Sequence, residues 1–268
     1  MTTTYTAAPG IDVLTSAFPV PGFGLIPVNA FFLDGAEPIL VDTGPVIESE
    51  EFMAALRSVI DPGDIRWIWL THTDFDHIGS LHRLLEENDR LKVITTFVGV
   101  GIMSLSAPLP MDRIHLVNPG QEITIGDRTL RALRPPAFDN PVTTGFFETS
   151  SKTLFSADCF GALLAEVPER ADELSEEALH QGQVFWGTVD SPWLHRTDAA
   201  MLTKEVDTLR ALEPDLVLSS HLPAAPGSMF DRLTANLEAV PAATPFVGPD
   251  QSALEAMLAE MMQGAPPQ

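Results

Sequence analysis

The chain is poor in cysteine and in basic residues. Its 268 residues include a single cysteine, Cys159, so no intramolecular disulfide can form, and we expect a reducing compartment, the cytoplasm. Only 15 lysines and arginines stand against 37 aspartates and glutamates, which gives a formal net charge of −22. A surface of that sign repels phosphate backbones and anionic lipid, so we expect neither nucleic acid nor a membrane as a partner.

Long apolar stretches are also missing. No apolar run reaches the roughly 18 residues of a membrane-spanning helix. Residues 1–10 lack the basic and apolar regions of a signal peptide. No repeat or long linker divides the chain, which predicts one domain over residues 1–262. A flexible tail is predicted at 263–268, where glycine and proline are frequent.

Short apolar segments alternate with amphipathic ones along the chain. Apolar runs bounded by turn residues predict strands at 29–33, 39–41, 65–70, 91–96, 146–149, 153–157 and 216–219. Apolar residues at helical spacing predict helices at 48–60, 80–87, 197–212 and 250–262. Strands and helices therefore alternate in each half of the chain, which predicts a layered α/β or α+β domain.

The segment after the predicted strand at 65–70 is rich in side chains that bind metals. Four candidate ligands lie within six residues: His72, Asp74, Asp76 and His77. Because His77 directly follows three alternating residues, the chain must turn there, and the pairs His72/Asp74 and Asp76/His77 can face two different ions. The alternative is a polar loop in which Asp76 or Ser80 caps a helix, although charged groups packed this closely are costly without a partner.

This segment resembles a known family. The pattern His-x-Asp-x-Asp-His is similar to the His-x-His-x-Asp-His signature of the metallo-β-lactamase superfamily, with Asp74 at the position of the second histidine. A carboxylate at that position is typical of the flavodiiron oxygen and nitric oxide reductases. Residues 76–81, Asp-His-Ile-Gly-Ser-Leu, resemble the Asp-His-Ser-Gly-Ser-Leu of that branch.

The resemblance extends over most of the chain and implies three remote ligands. Residues 154–161 resemble the flavodiiron Leu-Phe-Ser-x-Asp-x-Phe-Gly, whose aspartate bridges two metals and corresponds to Asp158. His221 follows a run that resembles the closing strand of the family, which delivers the last histidine. Residues 136–141 correspond to a Pro-x-x-His-x-Pro segment, so Asp139 stands where the family has histidine.

Each remote residue also has a simpler explanation. Asp158 could cap a helix or be a solvated turn acid, and His221 could be a buried structural histidine. Asp139 could form an Asx turn with the residues that follow it. Because aspartate is shorter than histidine, Asp139 could also reach its ion through water.

The resemblance implies an α/β fold, the four-layer αβ/βα sandwich of the metallo-β-lactamase type, with two metal ions. One ion would be bound by His72, Asp74, Asp139 and Asp158. The other would be bound by Asp76, His77, Asp158 and His221. Four carboxylates balance two divalent ions, and such an acidic donor set favours iron, with manganese or zinc as alternatives.

The function implied by the resemblance is the binding or reduction of O2 or NO, as a gas ligand, at a diiron centre. The stretch after His221 is too short for the flavodoxin-like domain of those reductases, so flavin is expected only from a partner chain. An electron-donor protein and a second copy in a homodimer are the expected protein partners. Without a donor, the chain would act as an oxygen or redox sensor.

The main alternative is a hydrolase of the lactonase, thioesterase or phosphodiesterase type, in which a metal-bound hydroxide attacks a small-molecule substrate. Its apolar pocket would draw on aromatic residues: Phe18, Phe23, Phe32, Trp186 and Trp193. A third reading is an inactive remnant of the fold. Cys159 is either a redox-sensitive thiol or a small buried side chain. His195 is a candidate pocket residue, whereas the remaining histidines match no motif: His82, His115 and His180.

Overall fold

The structure, a computed structural model, describes residues 1–264. Of the tail predicted at 263–268, residues 263 and 264 belong to the last helix, and the remainder lies outside the described residues. The domain boundary at residue 262 stays a prediction. Among the helices described, none combines the length and the apolar character needed to cross a bilayer.

Two β-sheets form the centre of the molecule. The first contains seven strands in the order of the chain: β1 (Thr3–Ala8), β2 (Ile11–Val20), β3 (Gly24–Leu33), β4 (Ile39–Val41), β5 (Trp67–Trp69), β6 (Lys92–Thr95) and β7 (Ile114–Leu116). The second contains β8 (Glu122–Ile125), β9 (Arg128–Leu133), β10 (Gly145–Glu148), β11 (Thr153–Phe155), β12 (Leu216–Leu218) and β13 (Ala225–Pro226). Its spatial order is β13-β12-β11-β10-β9-β8.

Seven α-helices are described in addition to short 3-10 turns. They are α1 (Ser49–Val59), α2 (Leu81–Glu87), α3 (Phe97–Met103), α4 (Glu176–Asp190), α5 (Ala199–Arg210), α6 (Phe230–Ala239) and α7 (Gln251–Gly264). The first three connect strands of the first sheet, α4 and α5 lie between β11 and β12 in the chain, and α6 follows β13.

The buried side chains define four layers. On β3, Phe31 and Leu33 pack between the two sheets, whereas Ala30 and Phe32 face the other way, in the apolar layer shared with α1 and α2. A third cluster joins the second sheet to α4, α5 and α6. Because both sheets are covered by helices on one face and by each other on the opposite face, the architecture is the predicted αβ/βα sandwich.

The carboxyl ends of the parallel strands meet at one edge of the sandwich. In the first sheet, β4 and β5 are parallel neighbours, and in the second sheet β11 and β12 are. The loops after these strands carry all the candidate ligands except Asp139, which precedes β10. Asn29 of β3 joins the two sheets here, because its side-chain amide donates to the carbonyls of Ser219 and Leu222 at 2.9 and 2.8 Å. Such an edge is where α/β sheets bind ligands.

Several elements were not predicted from the sequence: β1, β2, α3, α4 and α6. Helix α4 is instructive because its glycines lower helix propensity. A side chain at Gly182 would overlap the carbonyl of Leu163, and one at Gly187 would overlap Val240. The glycines therefore permit close packing, and the helix is stabilised at its start by Ser175, whose hydroxyl accepts a hydrogen bond from the Ala178 N–H at 3.1 Å.

The contact between the two sheets can be tested at Phe155, which is 1% exposed. Its ring stacks on Phe146 at a centroid distance of 4.3 Å and meets Phe31 edge-on at 5.5 Å. We expect Phe155→Ala to lower the free energy of unfolding by about 3–5 kcal/mol, because it leaves a cavity between the sheets. Denaturant unfolding measures this, and the exposed Leu105→Ala should change the value by less than about 0.5 kcal/mol. Equal stability of both variants would contradict the packing described.

Candidate metal centre

The loop after β5 is tied to Asp42 at its start and then turns. Asp42, which follows β4, accepts hydrogen bonds from the N–H and the hydroxyl of Thr71 at 2.8 and 2.7 Å. The turn starts at Asp74, whose carbonyl accepts from the N–H of His77 at 2.9 Å. The predicted turn at His77 is therefore confirmed, and the turn also includes Asp76.

Gly79 packs this loop against the loop after β4. Its N–H donates to the carbonyl of Gly44 at 2.7 Å. Any Cβ at this position would overlap the backbone of Gly44, Pro45 and Val46. A glycine is therefore required for the close approach that places the two loops side by side.

The structure brings all seven predicted residues together. His72 Nε2 lies 3.2 Å from Asp158 Oδ2, 3.9 Å from Asp74 Oδ2 and 4.0 Å from Asp139 Oδ1. These side chains lie on one side of Asp158, and the remaining three lie on the other: Asp76, His77 and His221.

The second half of the cluster is equally compact. His77 Nε2 is 3.3 Å from Asp76 Oδ2 and 3.5 Å from Asp158 Oδ1. His221 Nε2 is 3.5 Å from Asp76 Oδ2 and 3.4 Å from Asp158 Oδ1. Asp158 therefore faces both groups, one oxygen to each side, which is the arrangement that a bridging carboxylate requires.

The three imidazoles are oriented by their other ring nitrogens. His77 Nδ1 lies 2.9 Å from Asp42 Oδ2, and His221 Nδ1 lies 2.7 Å from the carbonyl of Pro27. His72 Nδ1 lies 3.0 Å from the hydroxyl of Thr71, whose only hydrogen goes to Asp42. In the neutral imidazoles each Nδ1 therefore acts as the donor, and each Nε2 presents a lone pair to the centre of the cluster.

Several buried atoms at this centre have no hydrogen-bond partner. They are Nε2 of His72, Nε2 of His77 and Oδ1 of Asp158. Their side chains are at most 3% exposed, so bulk solvent does not reach these atoms. Lone pairs of nitrogen and oxygen that point at one another need a cation between them, and the donor set suits a transition metal.

The charges of the cluster are strongly coupled. Burial lowers the pKa of His77, but the carboxylates of Asp76, Asp158 and Asp42 outweigh it and hold that pKa well above its usual value. The pKa of His72 is also raised, because Asp158 outweighs its burial. Burial raises the pKa of Asp158, yet the surrounding histidines, above all His72, hold it well below its usual range.

Asp42 and Asp190 belong to the site and were not identified as site residues. Asp42 is fully buried and orients His77, and its positive φ of 61° marks the strained turn after β4. Its sequence signal is the Asp-Thr-Gly stretch after the strand predicted at 39–41, which by itself indicates only a turn. Asp190, at the end of α4, has a carboxylate oxygen within 4.8 Å of those of Asp139 and Asp158. No sequence motif indicates this residue.

The two acids that crowd Asp158 are hard to ionise. Burial raises the pKa of Asp190 to about 8, with further increases from the charges of Asp158 and Asp139. Burial likewise raises the pKa of Asp139 to about 7, and Asp158 adds to the effect. Without a cation, this half of the site therefore carries more carboxyl groups than it can keep charged.

The other nominated residues have separate roles. Burial raises the pKa of the Cys159 thiol well above its usual value, so this residue is the inert, buried side chain rather than a redox sensor. The Nδ1 atom of His195 faces the Pro241 carbonyl at 3.4 Å, away from the ligand cluster. Trp186 packs on His221 with ring centroids 5.0 Å apart, and Trp193 donates to the carbonyl of Phe138 at 2.8 Å.

The aromatic residues suggested for a substrate pocket lie in different places. Phe32 belongs to the core under α1, and Phe23 packs with Phe185 and Phe246. Of the aromatic residues suggested for a substrate pocket, Phe18 lines a groove that also includes Asp76. The remaining walls of this groove are apolar: Ile26, Val28, Pro45, Val46, Ile47 and Phe75.

Comparison with known proteins places this fold and site in a family. Residues 26–221 match the family described as ODP family beta lactamase. The chain belongs to the ODP family of β-lactamase-fold proteins. The match begins in β3 and ends at His221, so it includes every one of the seven predicted residues.

Relatives of this ODP-family chain include two reductases. The rubredoxin-oxygen oxidoreductase of Megalodesulfovibrio gigas is 23% identical over 207 residues, which are 75% of this chain and 50% of that protein. The anaerobic nitric oxide reductase flavorubredoxin of Salmonella typhi is 25% identical over 197 residues, which are 72% of this chain and 40% of that protein. The ODP-family chain thus spans about half the length of the curated relatives it matches.

A solved structure shows the same fold. The rubredoxin oxygen:oxidoreductase from Desulfovibrio gigas superimposes with a TM-score of 0.77 over 89% of this chain and 61% of that chain, at 20% identity. The predicted metallo-β-lactamase-type sandwich and the resemblance to the flavodiiron branch are both confirmed.

The raised pKa values predict how the metal-free protein responds to pH. A carboxyl group whose pKa is raised by folding stabilises the protein below its unfolded pKa of about 4 and loses that stabilisation as the pH rises through its folded pKa. The stabilisation from Asp139 is therefore lost as the pH rises from about 4 to about 7, and that from Asp190 as the pH rises from about 4 to about 8. His72 and His77 also stabilise the folded protein less as the pH rises, because folding raises their pKa values and favours their protonated forms.

We therefore expect the melting temperature of chelator-treated protein to fall steadily from about pH 5 to about pH 9. Calorimetry at several pH values measures the decline. A double variant, Asp139→Asn with Asp190→Asn, should show a shallower decline because its two amides do not ionise. A melting temperature that rises with pH would contradict this account of the charges.

Proposed function

We propose that His72, Asp74, Asp139 and Asp158 bind one metal ion and that Asp76, His77, Asp158 and His221 bind a second. The single observation that carries the proposal is the set of buried, unpartnered atoms at the centre of the cluster. Imidazole lone pairs and carboxylate oxygens face one another at 3.2–3.5 Å there, and a cation on each side of Asp158 satisfies them.

The donor set favours iron. Three imidazoles and four carboxylates supply enough negative charge to balance two divalent ions, and oxygen donors suit iron or manganese better than zinc. When bound, an iron pair would supply redox chemistry and open coordination positions for a diatomic ligand. Names of the relatives support this choice, because they include a rubredoxin-oxygen oxidoreductase and a nitric oxide reductase flavorubredoxin.

We propose that the chain binds or reduces O2 or NO with electrons from a partner. Reduction of O2 to water consumes four electrons and four protons, and reduction of two NO to N2O and water consumes two electrons and two protons. A rubredoxin-like or flavin-bearing protein or domain is the proposed electron source, and a homodimer is the proposed assembly.

The residues around the ligands would position and shield the reaction. Asn140 donates to Asp74 Oδ1 at 2.7 Å and holds this half-exposed carboxylate toward His72. The apolar groove beside Asp76, with Phe18, Val28 and Phe75 among its walls, suits a small apolar gas. Asp42, Thr71 and the Pro27 carbonyl keep the imidazoles in the donor tautomer that leaves Nε2 free.

Metal analysis tests the bridge directly. Protein from iron-supplemented medium should hold two irons per chain, measured by mass spectrometry. Asp158→Ala should lose both ions because Asp158 faces both groups, whereas Asp139→Ala should lose at most one. The exposed Asp112→Ala is the matched control and should retain both. Equal metal content in Asp158→Ala and in the control would refute the bridge.

Gas consumption tests the reaction. The iron-loaded chain, reduced with dithionite and freed of excess reductant, should consume NO and form N2O in amounts limited to about one turnover, because no donor restores its electrons. An NO electrode and gas chromatography measure both, and zinc-loaded protein is the control. An iron-loaded chain that is inert to NO and O2, combined with a zinc-loaded chain that cleaves lactones or thioesters, would support the hydrolase instead.

A further inference from the structure

Asp190 lies at the edge of the proposed metal centre, on an element that supplies none of the proposed ligands. It is the last residue of α4, partly buried, and accepts a hydrogen bond from the hydroxyl of Ser191 at 3.0 Å. The helix is anchored at this end by its packing on Val240 through Gly187. The backbone of Asp190 therefore starts from a packed helix end, and its carboxylate has one hydrogen-bond donor in Ser191.

Three carboxylates converge beside His72. Ligand oxygens of Asp139, Asp158 and Asp190 all lie within 4.8 Å of one another. Asp158 is 3% exposed and turns its Oδ2 toward His72, whose Nε2 is buried and has no hydrogen-bond partner. Three like charges at this spacing repel strongly where water is excluded, so the arrangement is favourable only with positive charge among them.

Asp139 reaches this group of carboxylates from a partly exposed position. Its Oδ1 lies 4.0 Å from His72 Nε2, and its side chain is 30% exposed. Asp139 and Asp190 approach Asp158 from different elements, the loop before β10 and the end of α4. Together they offer two oxygens to a cation that also touches Asp158.

We propose that Asp190 is an additional oxygen ligand of the ion bound by His72, Asp139 and Asp158. This inference rests on the proposed function, because it adds a ligand to one of the two proposed ions. That ion would have one nitrogen and four oxygen donors, from His72, Asp74, Asp139, Asp158 and Asp190. The ion on the other side of Asp158 would keep two nitrogens, so the two positions are unequal.

The extra carboxylate changes the charge of the centre. Five aspartates carry more negative charge than two divalent ions can balance, so the oxygen-rich position should favour hard ions such as manganese(II) or iron(III). One further positive charge balances the set, which is the charge of a centre with one divalent and one trivalent iron. If Asp190 binds one ion, the centre should therefore show a mixed-valent iron signal that depends on Asp190. If Asp190 only stabilises the fold, that signal should not depend on it.

The test compares Asp190→Asn with Ser191→Ala, a matched control that keeps the carboxylate and removes only its hydrogen-bond donor. Metal-free protein is titrated with manganese(II), and separately with iron(II) without air, against a chelator of known affinity. Wild type and Ser191→Ala should bind two ions. Asp190→Asn should bind one ion as wild type does and the other at least about ten-fold more weakly, because it loses a charged donor.

Melting temperatures with and without metal distinguish a metal ligand from a residue that only stabilises the fold. Without metal, Asp190→Asn should melt at a higher temperature than wild type, because one of three crowded acids is replaced by an amide. With metal, its melting temperature should rise less than that of wild type. Partly oxidised wild-type protein should show a mixed-valent iron signal in electron paramagnetic resonance, and Asp190→Asn should show less of it. Asp190→Ser replaces Asp190→Asn if the latter does not fold.

Two ions bound with equal affinity by wild type and Asp190→Asn, together with an unchanged mixed-valent signal, would overturn the role of Asp190. That result would leave the proposed function intact. Wild-type protein that binds no ion pair would instead overturn the proposed function itself, and the inference with it. The two failures are therefore distinguishable in the same titration.

Discussion

The structure depends on one electrostatic constraint: the Asp158 carboxylate is buried among three imidazoles that all present Nε2 to it, at 3.2, 3.5 and 3.4 Å. A charge taken out of water is costly unless its partners are held in place. The partners here are His72, His77 and His221, and each is fixed through its Nδ1 atom by a group outside the cluster. The surrounding fold is the scaffold that holds these four side chains in their relative positions.

That scaffold consists of two sheets whose parallel strands end at the same edge. Strand β5 leads into the loop with His72 and His77, β11 leads to Asp158, and β12 leads to His221. Closely packed apolar clusters on both faces of each sheet leave the strands little freedom, so the loops start from fixed points. Polar groups are concentrated where the strands end, and Asn29 pairs there with carbonyls of the opposite sheet.

Much of the site could be predicted from short sequence patterns. The four ligands between positions 72 and 77 share a loop, so their spacing alone indicates that they act together. Asp158, His221 and Asp139 are far from that loop in the chain, and only the resemblance to a family joined them to it. Helix α4 was missed because its glycines and branched or aromatic residues give a weak helical signal, and its glycines are explained only by what packs against them.

From the sequence by itself, spacing indicated the four candidate ligands between positions 72 and 77, and apolar periodicity indicated a layered domain of strands and helices, because both patterns are local. The resemblance of longer segments to a family supplied the four-layer architecture and the three remote candidate ligands. Only the tertiary structure decided that Asp42 orients His77 and that Asp190 joins Asp139 and Asp158. These pairings join residues remote in the chain, and a lone aspartate at a turn or a helix end has the same local pattern whether it faces solvent or another carboxylate. The physical reason is that charge coupling depends on distance and burial, which arise only when the layers pack.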